Sequence, residues 1–196
     1  MSWSNKTPGV PDEFFLRTEE VPITKEEIRS IIISKLRLNE NYSVIDVGCG
    51  SGSVTVELCL QCKNGKVFGI DLDYRAIDLT QKNLEKFSLI AEIIQGDAYD
   101  ILENLPLVNG IVVGGTTGKT KEIIDRSLNK LKVGGRIVIT TILIETMYNA
   151  IEALSESQEI SDIDFTQVTI SKGRKTKTGT MMLSRNPVLL ISATKI

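Results

Sequence analysis

Apolar positions along this chain keep two rhythms in turn. YSVIDV (42–47), KVFGIDL (66–72), AEIIQGD (91–97), NGIVVGG (109–115) and RIVITTIL (136–143) are short, nearly unbroken apolar runs. Runs of that kind mark strands covered on both faces. Between them, SVTVELCLQC (53–62), YRAIDLTQKNLEKF (74–87), YDILENL (99–105), KTKEIIDRSLNKL (119–131) and ETMYNAIEALSES (145–157) place apolar residues every three or four positions, the spacing of a one-sided helix. The helix over 119–131 is expected to stop before Gly134-Gly135. Upstream, residues 1–24 carry Pro8, Pro11 and Pro22 and read as irregular. KEEIRSIIISKLRL then follows Thr24, with Glu27 three residues on, which predicts a helix opened by a capping box. DFTQVTIS (164–171) and VLLISATK (188–195) are strands with no helix between them, so the last strand should run antiparallel. Strands alternating with helices predict an α/β, doubly wound, Rossmann-like sheet, mostly parallel, in one domain over 1–196 without repeats or linkers.

Composition narrows the classes of function. The 196 residues are 41% hydrophobic and 24% charged, ordinary for a folded domain with a full core. A net charge of −2 argues against general nucleic-acid or membrane-surface partners, and no apolar run approaches the roughly 20 residues of a membrane span. MSWSNKTPGVPDEFF shows no charged-then-apolar leader, so a cytoplasmic chain is expected. Cys59 and Cys62 form a lone C-x-x-C in an apolar stretch; without a second pair or any histidine, burial is the expected role and no metal site is foreseen. The absence of histidine also removes Ser-His and Cys-His nucleophile schemes.

The chemistry concentrates in VIDVGCGSGSVTVE (44–57). A buried strand opens through Gly48, Cys49, Gly50, Ser51 and Gly52 into a helix, a turn that lets a nucleotide-like ligand approach backbone. A dinucleotide fingerprint would put its third glycine at position 53, where Ser53 stands. The spacing is instead D-x-G-x-G-x-G, and Asp46 would repel a pyrophosphate but suit a cation such as the amine of a methionine moiety. This form resembles motif I of the class I S-adenosylmethionine-dependent methyltransferases. A purely structural glycine turn is the alternative.

The later strand ends can be read against that motif. Asp71 ends the second strand, where a carboxylate can accept both hydroxyls of a ribose; a helix cap or a solvated acid is the rival role. Asp97 and Ala98 follow the third strand, where they could meet the edge of an adenine, with helix capping as the rival for Asp97. VVGGTTGKT (112–120) imitates a P-loop but has Val113 where the first glycine belongs. It also lacks the Asn/Asp-Pro-Pro-aromatic motif of exocyclic-amine methyltransferases, and Gly114, Gly115, Thr116 and Thr117 leave room for a bulky substrate. Lys172, Arg174, Lys175 and Lys177, with Arg185 beyond, are either a solvated hairpin or a grip for substrate carboxylates.

Five blocks carry a narrower likeness: GVPDEFFLRTEEVPITKEEIR (9–29), VGCGSGSVTVE (47–57), VVGGTTGKTKEII (112–124), GGRIVITTILIET (134–146) and KGRKTKTGTMMLSRNPV (172–188). Together they resemble the CbiT family, decarboxylating methyltransferases that act on precorrin-6B or cobalt-precorrin-6B in cobalamin biosynthesis. The resemblance implies a class I methyltransferase sheet, S-adenosylmethionine as cofactor, and a tetrapyrrole substrate. It implies methylation of meso carbon 15 with loss of carbon dioxide from the ring C acetate, by a homotetramer. It carries cofactor contacts to Thr24, the Gly48–Gly52 loop, Asp71 and Ala98. A short chain without a fused second methyltransferase favours the cobalt-containing substrate. No catalytic acid or base emerges, although Asp12, Glu13 and Arg17 lie in a segment able to close over substrate. The competing readings are a nicotinamide-dependent oxidoreductase, against which Ser53 counts, a non-catalytic S-adenosylmethionine-binding module, and a methyltransferase for another small molecule or RNA.

Overall fold

A strand whose residues are buried on both faces belongs inside a sheet, and β1 (Val44–Val47), with all four residues buried, lies there. The computed structural model describes residues 3–196. β2 (Val67–Asp71) and β3 (Glu92–Gln95) extend the sheet in parallel on one side of β1, and β4 (Val108–Val113) and β5 (Leu131–Thr141) on the other. β6 (Ile160–Val168) and β9 (Val188–Lys195) complete it, with β9 antiparallel to both β5 and β6. The order is β3-β2-β1-β4-β5-β9-β6, the doubly wound sheet with one antiparallel C-terminal strand that the alternation predicts. The chain leaves β1 for β2 and later returns to β4, so the winding reverses between β1 and β4. Ligand crevices in such sheets open at that point, beyond the strands' C-terminal ends.

Helices cover both faces. α1 (Glu26–Leu36), α2 (Ser53–Gln61) and α3 (Tyr74–Phe87) contribute to one apolar cluster, with Ile32, Leu58 and Phe87 meeting Val44 and Val112. α4 (Ala98–Asn104), α5 (Thr120–Lys130) and α6 (Ile144–Glu156) contribute to the other, where Leu102, Ile124 and Ala150 meet Ile45 and Ile139. α3 matches its expected span because both ends are locally encoded. Asp73 caps it by accepting from the Arg75 N–H, and Ser88 closes it in the left-handed region at φ 57°.

Three expectations need correction. The capping box at Thr24 and Glu27 does not form: Lys25 is the N-cap, and it makes no side-chain cap bond. Asp12, fourteen residues before Glu26, takes the role instead. The Glu26 N–H donates to Asp12 Oδ1 at 3.0 Å and the Asp12 N–H donates to Glu26 Oε2 at 3.2 Å, so the reciprocal logic of a capping box is carried out by a remote residue. Gly134 and Gly135 do not separate α5 from a strand beginning at Arg136. β5 already starts at Leu131, and its register against β4 shifts between the Val108 and Gly110 pairings, which places the glycines in a bulge. The strand expected over 164–171 instead spans Ile160–Val168, and Ser171 belongs to the next strand. A two-stranded ribbon, β7 (Ser171–Lys175) and β8 (Thr180–Ser184), lies between β6 and β9 as its own sheet. Ser-Lys-Gly-Arg-Lys has no apolar alternation, so only cross-strand pairing reveals that it is extended.

The N-terminal segment is tied down by one buried guanidinium. Arg29 on α1 is fully buried; its Nη1 donates to Asp12 Oδ1 at 2.9 Å and its Nε to Glu57 Oε1 at 3.3 Å. It also donates to the Val10 and Thr24 carbonyls and lies 4.6 Å from the centre of the Phe15 ring. Glu57 accepts from the Gly9 and Val10 N–H groups at 3.0 and 2.8 Å. Asn83 holds Leu16 through both of its backbone groups and donates to the Ser51 carbonyl at 2.8 Å, linking the segment to the glycine turn. Asp12 is therefore committed inside the fold rather than free to close over a substrate.

Candidate functional site

Four parallel strands end at one crevice. Gly48 and Gly50 follow β1, Asp71, Leu72 and Asp73 lie at the end of β2, Gly96, Asp97 and Ala98 follow β3, and Gly114, Gly115 and Thr117 follow β4. The cavity holds about 240 Å³ and is roofed by Glu20, Val21 and Pro22 of the N-terminal segment. Val21 packs onto Ala76 and Leu79 of α3, which seats the roof. Motif spacing did not reveal these roof residues; Pro22 was legible only as one of three prolines in an irregular segment. Leu72, 54% exposed although large and apolar, is another lining residue that the sequence did not single out.

The glycine turn divides into packing and lining positions. A Cβ on Gly48 would lie 2.6 Å from the Gly115 nitrogen, and one on Gly52 would lie 2.8 Å from Thr80, so both glycines are required by the fold. A Cβ on Gly50 would meet nothing nearer than the Pro22 carbonyl oxygen at 3.5 Å. The space beside Gly50 is therefore not taken up by the protein. Cys49 and Ser51 are buried behind the turn, and the Ser51 carbonyl is held by Asn83. Thr24 does not line the crevice; its carbonyl accepts from Arg29 and from Ser53 Oγ.

The two strand-end acids differ. Asp71 accepts the Gly50 N–H on Oδ2 at 2.9 Å and the Asp73 N–H on Oδ1 at 3.0 Å, fixing the carboxylate at the crevice wall. The helix-capping role falls to Asp73. Asp97 does cap a helix, accepting the Tyr99 N–H at 2.9 Å on Oδ1, and Lys119 donates to its Oδ2 at 2.6 Å. The Lys119 ammonium, with the Tyr99 N–H, holds the Asp97 carboxyl below its ordinary range. Asp97 thus lines the crevice and serves as a cap at once.

Asp46 sits below the crevice rather than in its wall. It is buried on the α2 side of β1, where Thr55 Oγ1 donates to its Oδ2 at 2.6 Å. Burial, helped by the nearby Asp71 charge, pushes its pKa from 3.8 up to about 7. A folded-state value above the unfolded one means the protonated acid stabilises the fold. That contribution is complete below pH 3.8, declines as pH rises, and is gone above about 7. At about 1.36 kcal/mol per unit, the shift corresponds to a decline of about 4 kcal/mol. Asp46→Asn should remove most of this slope, so urea denaturation at pH 4 and pH 8 should show a much smaller difference for the variant than for the parent. Equal slopes would mean Asp46 titrates normally.

The basic residues do not form one patch, and none of Lys172, Arg174, Lys175, Lys177 or Arg185 lines the crevice. Lys172 donates to Glu26 Oε1, with Glu27 Oε1 also at 2.5 Å, and Arg185 Nη1 lies 4.0 Å from Asp12 Oδ2. Both turn toward acids on α1 and the N-terminal segment. Arg174, Lys175 and Lys177 are exposed on the ribbon and its turn. Gly114, Gly115 and Thr117 do line the crevice, whereas Thr116 is buried and shares a 2.7 Å hydroxyl contact with Thr120. Cys49, Cys59 and Cys62 are free and buried. Burial pushes the Cys59 thiol up to about 12 and the Cys62 thiol to about 11, so neither is a nucleophile near neutrality. No cluster of three or more metal-ligating side chains occurs among the described residues.

Comparison with known proteins adds three findings. Residues 15–195 match the family model described as a precorrin methyltransferase domain. A probable cobalt-precorrin-6B C(15)-methyltransferase (decarboxylating) of Saccharolobus solfataricus is 46% identical, with all of both chains covered. Two solved structures superpose along nearly the whole chain. Precorrin 8W decarboxylase of Methanobacterium thermoautotrophicum has a TM-score of 0.89 at 38% identity, covering 95% of this chain and 100% of its own. Precorrin-6y C5,15-methyltransferase of Geobacter metallireducens has 0.88 at 30%, covering 97% and 98%.

Proposed function

This chain belongs to the precorrin methyltransferase domain family, and on that premise we propose that it methylates carbon 15 of cobalt-precorrin-6B with loss of carbon dioxide from the ring C acetate. The observation that carries this reading is the crevice at the reversal of the sheet, where Gly50 leaves space and Asp71 presents a fixed carboxylate. S-adenosylmethionine suits that donor set. Asp71 can accept from ribose hydroxyls with the lone pairs its two backbone bonds leave, Gly96, Asp97 and Ala98 border the adenine end, and Leu72 offers apolar cover. Gly48 and Gly50 border the methionine end, while Cys49, Ser51 and Gly52 shape the turn from behind, and the chain after Thr24 anchors the roof. The cofactor, when bound, supplies an electrophilic methyl group. The protein's own contribution is orientation and exclusion of water. Aligning donor and acceptor can lower a barrier by about 7–11 kcal/mol, so no side chain need be assigned as acid or base.

We further propose a homotetramer working in the cytoplasm. The ribbon supports the assembly, because Met181, Met182 and Leu183 are exposed on it and Phe165 on the outer strand is 51% exposed. An isolated two-stranded ribbon is marginally stable alone, and apolar surface of this kind calls for a partner. Light scattering behind size exclusion reads the mass directly. The three free thiols suit a reducing compartment.

The direct test is incubation with S-adenosylmethionine and cobalt-precorrin-6B, followed by mass spectrometry. The expected product has gained one methyl group and lost one carbon dioxide; recovery of unaltered substrate under saturating cofactor would overturn the reading. The cofactor assignment has its own test. Asp71→Ala removes the acceptor of the Gly50 and Asp73 N–H groups as well as the ribose partner. Losing bonds to a charged group should weaken S-adenosylhomocysteine binding by about 1.5–3 kcal/mol in calorimetry. Unchanged affinity would move the ribose elsewhere.

A further inference from the structure

The cofactor crevice continues into a second hollow with a different character. Gly114, Gly115 and Thr117 line both, so the two spaces share a wall. The second holds about 310 Å³ and passes along Thr141, Ile142 and Leu143 into a third hollow bounded by Ile144 and Met147. The result is a trough running from the crevice to the start of α6.

Charge separates the two ends. The crevice wall carries Glu20, Asp71, Asp73 and Asp97, which favours a cationic donor and repels a polycarboxylate. The second and third hollows have no charged lining residue. Their floor is apolar and open to solvent, with Ile142 and Leu143 each 59% exposed and Ile144 73% exposed. Three consecutive large apolar residues in water at a cavity mouth mark a binding surface. The ledge is also held in place: Thr141 Oγ1 accepts the Leu143 N–H at 3.0 Å and donates to the Leu143 carbonyl at 3.2 Å.

The shared wall is small for a reason outside the fold. A Cβ on Gly115 would meet only Gly48 Cα at 3.7 Å, and one on Gly114 would find ordinary contacts of 3.6 Å or more. Neither glycine has a positive φ. Packing and backbone would accept alanine at both, so the missing side chains leave room for ligand atoms meeting across the wall.

We propose that the Ile142–Ile144 ledge, with the Gly114–Gly115 wall, is the surface on which the flat tetrapyrrole ring lies with its reacting carbon turned toward the methyl donor. The inference rests on the methyltransferase reading above and assigns its substrate surface. The ring's apolar face covers the ledge, and its carboxylates extend past the neutral trough toward water.

The test is the double variant Leu143→Gln, Ile144→Gln, which changes only exposed side chains. Three quantities are measured: turnover of cobalt-precorrin-6B, S-adenosylhomocysteine affinity, and mass in solution. The expected result is a KM for the tetrapyrrole raised at least about tenfold, with cofactor affinity within about twofold and mass unchanged, the pattern of lost substrate binding. An unaltered KM would overturn the assignment, and a fall in mass would show that the ledge is a contact between copies of the chain. The two readings fail differently. A parent protein that neither binds nor turns over the tetrapyrrole refutes the functional reading, and the ledge with it. A parent and a variant that are equally active refute the ledge alone.

Discussion

Gly50→Val should leave the chain folded and lower S-adenosylhomocysteine affinity at least about 100-fold, about 2.7 kcal/mol. Gly50 has φ +55° and its N–H is already spent on Asp71. A side chain there enters the crevice rather than the core, since the nearest protein atom to a Cβ is 3.5 Å away. The cost to the fold is the left-handed backbone, about 1–2 kcal/mol for a residue with a Cβ. The cost to binding is the volume of the isopropyl group, which occupies the ligand's place. Gly48→Ala and Gly52→Ala supply the contrast. Their Cβ atoms would press within 2.6 and 2.8 Å of neighbouring atoms, so these variants should lose stability first and binding as a consequence. Calorimetry and circular dichroism on the three variants separate the two mechanisms. A well-folded Gly50→Val protein that binds normally would make the whole turn structural.

Arg29→Leu should cost about 3–5 kcal/mol of stability, the range for removing one partner of a buried charge cluster. The leucine fills the core position but leaves the Glu57 carboxylate without its counter-charge, Asp12 with only the more distant Lys25 and Arg185, and the Val10 and Thr24 carbonyls without their Arg29 donor. Arg29→Lys should recover little, because one ammonium cannot reproduce the planar fork that reaches two acids and two carbonyls. Urea denaturation measures the loss. A second readout follows from position: the segment that Arg29 anchors leads into Val21 and Pro22, which roof the crevice. Cofactor affinity should therefore fall even at temperatures where the variant remains folded. A loss under 1 kcal/mol would mean that water or local relaxation satisfies the acids.

Much of this architecture is legible in the order of residues. Nearly unbroken apolar runs such as VIDV read as strands, and YRAIDLTQKNLEKF carries its apolar stripe with the cap Asp73 and the stop Ser88 directly beside it. The crevice is legible for a related reason. In a parallel sheet every strand end points to the same edge, so Gly48, Asp71, Asp97 and Gly114 are brought together by topology alone. The five basic residues near the C-terminus are the counter-example. Closeness in sequence left a solvated hairpin and a grip for carboxylates equally open, and packing separates the residues: Lys172 faces Glu26 and Glu27 while Arg174 is exposed on the ribbon.

The chain by itself determined its periods, its turns and the chemistry at the strand ends, because these depend on steric preferences and on residues a few positions apart. The tertiary structure alone decided which charges meet. Arg29 reads as one polar residue of an amphipathic helix until Asp12 and Glu57, 17 and 28 positions away, close on it. Thr24 is well spaced for a cap, yet Asp12 supplies it from fourteen positions upstream of Glu26, whose N–H it accepts. Asp46 reads as an acid offered to a cationic ligand group until α2 covers it and burial raises its pKa. Desolvating a charge is costly unless a partner faces it, and which partner faces it is set by packing between segments far apart in the chain, which no local pattern records.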